Sequence, residues 1–515
     1  MLKSRLCIAF FAFAVGCAPA QKPLTDYVNP MLGTATLWDS VDLGFKPTKR
    51  TWGAEVFPGS SLPNAMVQVS PVTKFHSGAG YQYEDSVIYG FTHTNKGHWN
   101  LCHIPLLPVT GTPTPGDYCS PFSHERESAA PGYYQVFLDR YGVDAQLSST
   151  LRCAFHKYTY PAGAAASLLA DLQRSNEHVR AWDIRKEGDN VFAGWQQTGE
   201  KMYFYAVANR PVTGIEPVVE GDREVRIVRF GEGDGALELR IGFSFVSEKN
   251  ARENLEAEML GKSFAEVRSE ATATWNDLLG RIRVEGGTER EKGLFYSSLY
   301  RSFLWPALRS DVNGEFTDVD GKVINPGFRY YTGPSYWDDY RNKLILLGML
   351  APDVAADVIS SDTDKGEKRG GFMPTFFHGD HASAFVAGTY LRGNRGFDVN
   401  RAYNLVLRNA TVQGPSRPWL DEYIAKGYIS EMDVENPVTW TVCKAAVTKT
   451  LEYSYDDYAV ALLADALGDK ENHDMLMKRT SNYKNLFDPS TGLMRGRLEN
   501  GEWITPFEIG RASCR

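Results

Sequence analysis

Two different spacings of apolar residues divide the chain. From about Asp26 to Ser247, short runs alternate apolar and polar positions between Gly, Pro and Asp-Gly interruptions, which predicts antiparallel β structure. The runs 65–71 (AMVQVSP), 133–139 (YYQVFLD) and 223–230 (REVRIVRF) are predicted strands. The succession EVRIVRF, GEGDG, ALELRIGFSF reads as a hairpin around a Gly-rich turn. A strand follows GEGDG, so the amides of a helix N-terminus are missing and the run is not a phosphate loop. From Asn254 the period lengthens, and Leu255, Met259, Phe264, Val267, Ala271, Trp275 and Leu278 fall at helical spacings that predict a linker helix. Thr288-Glu-Arg-Glu291 has the form of a capping box and predicts a helix start before LFYSSLYRSFLW. Further helices are predicted over 341–350, 381–392, 398–410, 438–452 and 455–467. Long polar and aromatic connections separate them, as in helical barrels whose loops build a site at one end. Strands followed by helices, without βαβ alternation, predict two segregated units.

Composition narrows the partners. The 515 residues carry a net charge of −8, the wrong sign for a polyanion-binding protein, so nucleic acid is not an expected partner. Aromatic residues make up 12%, including 11 Trp and 26 Tyr, and flat rings with polar edges suit sugars as well as large cores. A basic start followed by LCIAFFAFAVGCA reads as a secretory signal peptide over 1–20, with no later transmembrane segment, so a periplasmic or secreted location is expected. Ala18-Pro19-Ala20 offers simple cleavage before Gln21, whereas Ala14-Val15-Gly16-Cys17 resembles a lipobox that puts a lipid anchor on Cys17. Cys102, Cys119, Cys153 and Cys443 are spread too widely for a disulfide framework, which leaves buried thiols or one Cys102–Cys119 bridge. The last residues, 508–515, resemble translated sequencing-adapter DNA, so native sequence is expected to stop near Phe507.

Several short motifs are set aside on chemical grounds. His93, His98 and His103 lack the thiolate or carboxylate spacing of a zinc site and read as backbone-satisfied histidines. Asp362-Thr-Asp364-Lys-Gly366 resembles the start of a calcium loop, but the glycine stands one position early and position twelve is Met373. Glu452, Asp456 and Asp457 read as solvated or capping carboxylates near helix ends. The informative segment is 329–381, where Tyr330, Tyr331, Tyr336, Trp337, Asp338, Asp339 and Arg341 gather before His378, Asp380 and His381. Rings stack on a pyranose while carboxylates and a guanidinium bind its hydroxyls, so the mixture suits a polyol. The competing reading is a helix N-terminus carrying Asp338 and Asp339 as favourable charges.

Nine segments in order resemble the α-mannosidases of glycoside hydrolase family 92: DYVNPMLGT (26–34), FPGSSLPNAMVQVSP (57–71), GYQYEDSVIYGFTHT (80–94), APGYYQV (130–136), FYSSLYRSFLWP (295–306), YYTGPSYWDDYR (330–341), GDHAS (379–383), LEYSYDD (451–457) and YKNLFDPSTGLMRGR (483–497). The resemblance implies an α+β multidomain fold. It consists of a β-sandwich over 21–248, a helical linker over 249–287 and a partial (α/α)6 barrel over 288–507. It also implies an exo-acting, inverting, calcium-dependent hydrolase that removes terminal α-linked mannose, by preference α-1,2-linked, from mannose-rich glycans. Inversion needs an acid and a base on opposite faces of the sugar, roughly 6.5–9.5 Å apart. In the family these groups and the main calcium ligands lie in motifs beyond residue 507, so the chain is expected to be an inactive fragment without a catalytic residue of its own. The matching WD-x-x-R element makes Asp338 and Arg341 the expected hydroxyl contacts, with Trp337 and His381 as neighbours. Where the family has a more Gly- and Asp-rich stretch this chain has KGHWNLCHIP, so His98 and Trp99 are expected in the cleft, where they alter linkage preference. Rival readings are another (α/α)6 carbohydrate enzyme, a glucosidase or a sugar phosphorylase, and a non-catalytic glycan-binding protein.

Overall fold

Two antiparallel sheets face each other in the first half of the computed structural model, which describes residues 22–36, 54–95, 101–233, 235–432 and 444–507. The signal segment with Cys17, the residues His98 and Trp99, and the tail 508–515 lie outside the described residues. A seven-stranded sheet runs, in spatial order, Ser60–Ser61, Gln68–Val72, Gly90–Thr92, Leu106–Val109, Ser167–Ala170, Arg223–Phe230 and Val212–Glu220. An eight-stranded sheet runs Ala181–Gly188, Val191–Gln197, Lys201–Ala208, Leu237–Ser244, Cys153–Thr159, Val143–Ser149, Tyr133–Leu138 and Glu127–Ala130. Lys201–Ala208 shows the alternation that drives this packing, with Met202, Phe204, Ala206 and Ala208 buried and the intervening residues half-buried.

The expected hairpin is a sheet crossing instead. Arg223–Phe230 pairs with Val212–Glu220 through a two-residue turn at Gly221 and Asp222, where Gly221 has φ +59°. The segment after Phe230 leaves the seven-stranded sheet, and Leu237–Ser244 joins the eight-stranded one. Both strands were legible from their alternation, but which strand each pairs with depends on the apolar faces two sheets present to one another.

The sandwich core contains a histidine pair. His93 Nδ1 lies 2.9 Å from the Ile104 carbonyl, to which it donates, so His93 Nε2 accepts from His156 Nε2 at 3.0 Å. His156 Nδ1 then accepts from the Tyr158 hydroxyl at 2.5 Å. This arrangement requires both rings neutral. Burial pushes His93 down to about 3 and His156 well below the usual histidine range. Below pH about 6.5 the unfolded chain takes up protons that these rings refuse, so their contribution to stability falls as the pH drops. Ring 15N shifts of His93 and His156 are expected to remain those of neutral imidazole down to pH 5; a midpoint near 6.5 for either ring contradicts the pairing. His103 is also buried, bonded to Thr94 Oγ1 at 2.8 Å and Thr198 Oγ1 at 2.9 Å, so side-chain hydroxyls satisfy it. Cys102 and Cys119 keep their thiols and form no bridge.

The predicted linker helix is two helices, Glu248–Glu258 (α1) and Phe264–Leu279 (α2). Gly261, at φ +93°, turns the chain between them, and Ser263 with Glu266 forms a capping box that restarts the helix. Trp275 of α2 is fully buried and its indole donates to the Ser61 carbonyl at 2.7 Å, which fixes the linker to the sandwich. Glu289–Ser302 (α3) begins at the predicted capping box, with Thr288 N donating to Glu291 Oε2 at 2.7 Å and Glu291 N to Thr288 Oγ1 at 3.2 Å.

Beyond α3, apart from two short strand pairs (Phe316–Thr317 with Val323–Ile324, Phe487–Asp488 with Leu493–Met494), the regular structure is helical: Tyr336–Asp339 (α4), Lys343–Leu350 (α5), Pro352–Lys368 (α6), Ala382–Leu391 (α7), Val399–Thr411 (α8), Leu420–Lys426 (α9), Ala446–Leu467 (α10) and Lys470–Arg479 (α11). The two predicted helices over 438–452 and 455–467 form the single α10 within the described residues. The calcium-loop-like run 362–366 lies inside α6, where Asp362 accepts from Tyr336 and pairs with Lys365 at 2.8 Å. Asn64 and Gln68 of the sandwich donate to the Pro306 and Leu304 carbonyls at 2.8 and 2.6 Å, and one apolar core runs through both units.

Candidate active site

The site is organised by α10, which carries Glu452 and Asp456 one turn apart on one face. Asp456 is fully buried and accepts from His381 Nδ1 at 2.9 Å and from the Asp380 amide at 2.5 Å, which ties the start of α7 to the middle of α10. Gly379, at φ +80°, makes this approach possible: a Cβ there would stand 2.8 Å from His381 Nε2 and 2.9 Å from Glu452 Cβ.

Behind these residues lies a buried charge cluster. Arg417, fully buried, donates from Nη1 to Asp457 Oδ1 at 2.6 Å and from Nε to Asp380 Oδ2 at 3.2 Å. Arg479 Nε stands 3.0 Å from Asp457 Oδ2, and Asn409 donates to Asp380 Oδ1 at 2.9 Å. Burial raises the Asp380 and Asp457 carboxyls, with Arg417 pulling both back down. Burial acts against the Arg417 charge as well, yet the surrounding carboxylates outweigh it and hold the guanidinium firmly protonated. Asp456 and Asp457 are therefore not the solvated caps their positions suggested, and Asp380, expected among sugar-binding groups, is locked into the same cluster. Their partners come from segments far away in the sequence, so no local spacing announces them.

Glu452 is the carboxylate at the open side. Its side chain keeps 13% exposure, with Oε2 3.3 Å from His381 Nε2 and Oε1 3.7 Å from Arg341 Nη2. Tyr340 Oη donates to Oε2 at 3.4 Å. Burial raises the Glu452 carboxyl, His381 counters it and Asp456 adds to the rise. For His381, burial lowers the imidazole but Asp456 and then Glu452 outweigh it, so the ring is held as a cation more strongly than usual. Tyr340 stacks flat on His381 at 3.8 Å, Tyr455 lies 5.4 Å from Tyr340, and Phe377 packs 6.0 Å from Trp337. The result is a rim of rings around one carboxylate and one guanidinium.

The expected site residues separate on this frame. Trp337, Asp338 and Arg341 lie together at the rim, with Asp338 and Arg341 exposed, while Asp339 turns inward to accept from the Ser335 amide and pair with Lys343, both at 3.2 Å. His381 is fully buried beneath Tyr340, so it orients Glu452 and does not face a ligand itself. Glu452, Tyr340 and Tyr455 were missed as site residues; the one signal in the sequence was the four-residue step from Glu452 to Asp456. The described residues offer calcium no ligand set, and its main ligands were expected from motifs beyond residue 507. No group of three or more His, Cys, Asp or Glu among them is placed to hold a metal, and the oxygens of Asp380, Asp456 and Asp457 already face Arg417, Arg479, Asn409 and His381.

A sandwich joined to a helical unit, with aromatic rings around a carboxylate and a guanidinium, is the arrangement of a carbohydrate-active protein. The model of the glycosyl hydrolase family 92 N-terminal domain matches residues 27–253, that of the family's catalytic domain matches 250–513, and the chain belongs to this family. An uncharacterized secreted glycosidase of Arthroderma benhamiae is 24% identical over 550 residues, covering 93% of this chain and 66% of the relative, so the chain spans slightly less than two thirds of that protein. The structure of a family 92 α-mannosidase from Bacteroides thetaiotaomicron superposes with TM-score 0.85 at 27% identity, covering 95% of this chain and 68% of that one. Its complex with mannoimidazole superposes with TM-score 0.84 at 27% identity over 95% and 67% of the two chains. A family 92 inverting mannosidase of the same organism, at 24% identity and TM-score 0.83 over 95% and 69%, shares the fold. No single helix among the described residues is long and apolar enough to cross a membrane.

Proposed function

We propose that this protein is an exo-acting, inverting α-mannosidase that binds terminal α-linked mannose of mannose-rich glycans at the Glu452 rim, with α-1,2 linkages preferred. The observation that carries the reading is the rim itself. Glu452 accepts from hydroxyls, Arg341 donates to them, and Trp337 and Tyr455 supply the ring surface for a pyranose, while Tyr340 is held between His381 and Arg341. The α-mannosidase with 27% identity that was crystallised with mannoimidazole supports mannose as the sugar. Asp338 joins Arg341 as a hydroxyl contact at the rim. Asp380, Asp456 and Asp457 are excluded as acid or base because they are buried and fully engaged. The described residues bind and orient the sugar.

The test is proton NMR of an α-1,2-mannobioside incubated with the protein. Any mannose released is expected first as the β-anomer; the α-anomer first contradicts inversion. Binding of methyl α-mannoside without any turnover confines the described residues to holding the sugar.

A further inference from the structure

Two cations face the Glu452 carboxylate, and water screens them unequally. Arg341 Nη2 stands 3.7 Å from Oε1 on a side chain that is 54% exposed, so solvent weakens its pull. His381 Nε2 stands 3.3 Å from Oε2 and is fully buried, where a charge acts more strongly. The Trp337 indole N–H, buried and otherwise without an acceptor among the described residues, turns to the same carboxylate. Tyr340 adds its hydroxyl at 3.4 Å and lies flat on the imidazole, and the Tyr455 ring stands 6.2 Å from it.

Asp456 completes the line behind the imidazole. Its Oδ1 accepts from His381 Nδ1 at 2.9 Å and its Oδ2 from the Asp380 amide at 2.5 Å, so both oxygens are engaged and the carboxylate is held in one orientation. An imidazole that meets a carboxylate at each nitrogen needs both ring protons, since the neutral ring would turn a bare nitrogen on one of them. Burial lowers His381, Asp456 outweighs it, and Glu452 and Asp380 act in the same direction as Asp456. Asp456 is thus the largest reason that a cation stands beside Glu452, although its own side chain has no exposed surface.

We propose that Asp456 is a positioning residue for the rim, acting through His381 to hold the Glu452 carboxylate in the orientation and charge with which it accepts from sugar hydroxyls. This role rests on the mannoside reading for its ligand; the line Asp456–His381–Glu452 stands on the distances alone. Sugar affinity falls on acidification as Glu452 takes a proton, and Asp456 sets how acid the solution must be. Burial raises the Glu452 carboxyl, and His381, 3.3 Å away, pulls it down more than Asp456, one helical turn off, pushes it up. Removing the Asp456 charge discharges His381 as well, so the nearer and larger effect is lost and the Glu452 carboxyl rises further.

Asp456→Asn in the full chain tests it. The new oxygen stays on the Asp380 amide, so the new amide group meets His381 Nδ1, and the ring gives up that proton while Nε2 keeps the other. Near neutral pH the ring 15N shifts of His381 are expected to change from imidazolium to neutral imidazole. The Glu452 carboxyl 13C shift, assigned with Glu452→Gln, is expected to titrate about one pH unit higher. Calorimetric affinity for methyl α-mannoside then falls about tenfold on the acid side of both midpoints and matches that of the unsubstituted protein on the alkaline side. An equal loss at every pH with an unmoved Glu452 midpoint overturns the proposal and makes Asp456 a purely structural residue. His381→Gln, which leaves Asp456 on its backbone partner, is expected to give the same rise, and adding Asp456→Asn to it to give no further one; rises that add overturn the relay. A raised Glu452 midpoint in a protein that binds no methyl α-mannoside retains the positioning role and removes the mannoside reading. Normal methyl α-mannoside binding with an unmoved midpoint does the reverse.

Discussion

Arg417→Ala is expected to destabilise the helical unit by about 3–5 kcal/mol, the cost of stranding buried charge. Arg417 is fully buried between Asp380 and Asp457, and its removal leaves two carboxylates in a low-dielectric core with Arg479 as the one remaining cation at 3.0 Å and the neutral donors Asn409, Ser383 and Tyr423. The same residues join the start of α7, the middle of α10 and the segment before α9, so the loss spreads across three helices. Urea unfolding followed by circular dichroism checks the size of the effect. The deficit should be greatest near neutral pH and shrink as the pH falls. Without the guanidinium the aspartates have folded pKa values raised above their unfolded ones, so the folded state binds more protons and gains stability on acidification. A loss under about 1 kcal/mol would mean that the cluster tolerates its carboxyls in neutral form at no great cost.

Glu452→Gln should weaken methyl α-mannoside binding by about 10- to 150-fold, the worth of a charged hydrogen bond at 1.5–3 kcal/mol. The substitution keeps the shape of the side chain and removes the charge that faces Arg341 and His381. The melting temperature serves as the control, because Asp456, Asp457 and Arg417 stay paired without Glu452. Calorimetric affinity within twofold of the unsubstituted protein would place the sugar elsewhere on the rim and reduce Glu452 to a partner of His381.

The parts of the fold that could be read from the chain are those set by local chemistry. Alternation announced Lys201–Ala208 and its neighbours, and Thr288 with Glu291 announced α3, because a strand face and a helix cap are decided within a few residues. The WD-x-x-R element placed Trp337, Asp338 and Arg341 at the rim for a similar reason, since three residues on one short helix and its exit share a neighbourhood by geometry alone. Pro352–Lys368 escaped prediction, because its run of Ser, Asp and Thr looks like loop chemistry until Asp362 and Asp364 meet Tyr336, Lys365 and Lys368.

The charge cluster shows the limit most clearly. In the sequence, Asp456 and Asp457 are two acids on a helix, and water is their default partner. In the fold, Asp380, His381, Arg417 and Arg479 converge on them from three other segments and replace water altogether. What the sequence by itself determined was which stretches become strands or helices, which family motifs they carry and which residue types are present for sugar chemistry. The tertiary structure alone decided the rest: which strand joins which sheet, which carboxylates are locked away and which one is left facing the opening. The physical reason is that the ionisation and reach of a carboxylate depend on the dielectric and the charges within a few ångströms, and here those neighbours are supplied by chain segments dozens of residues apart.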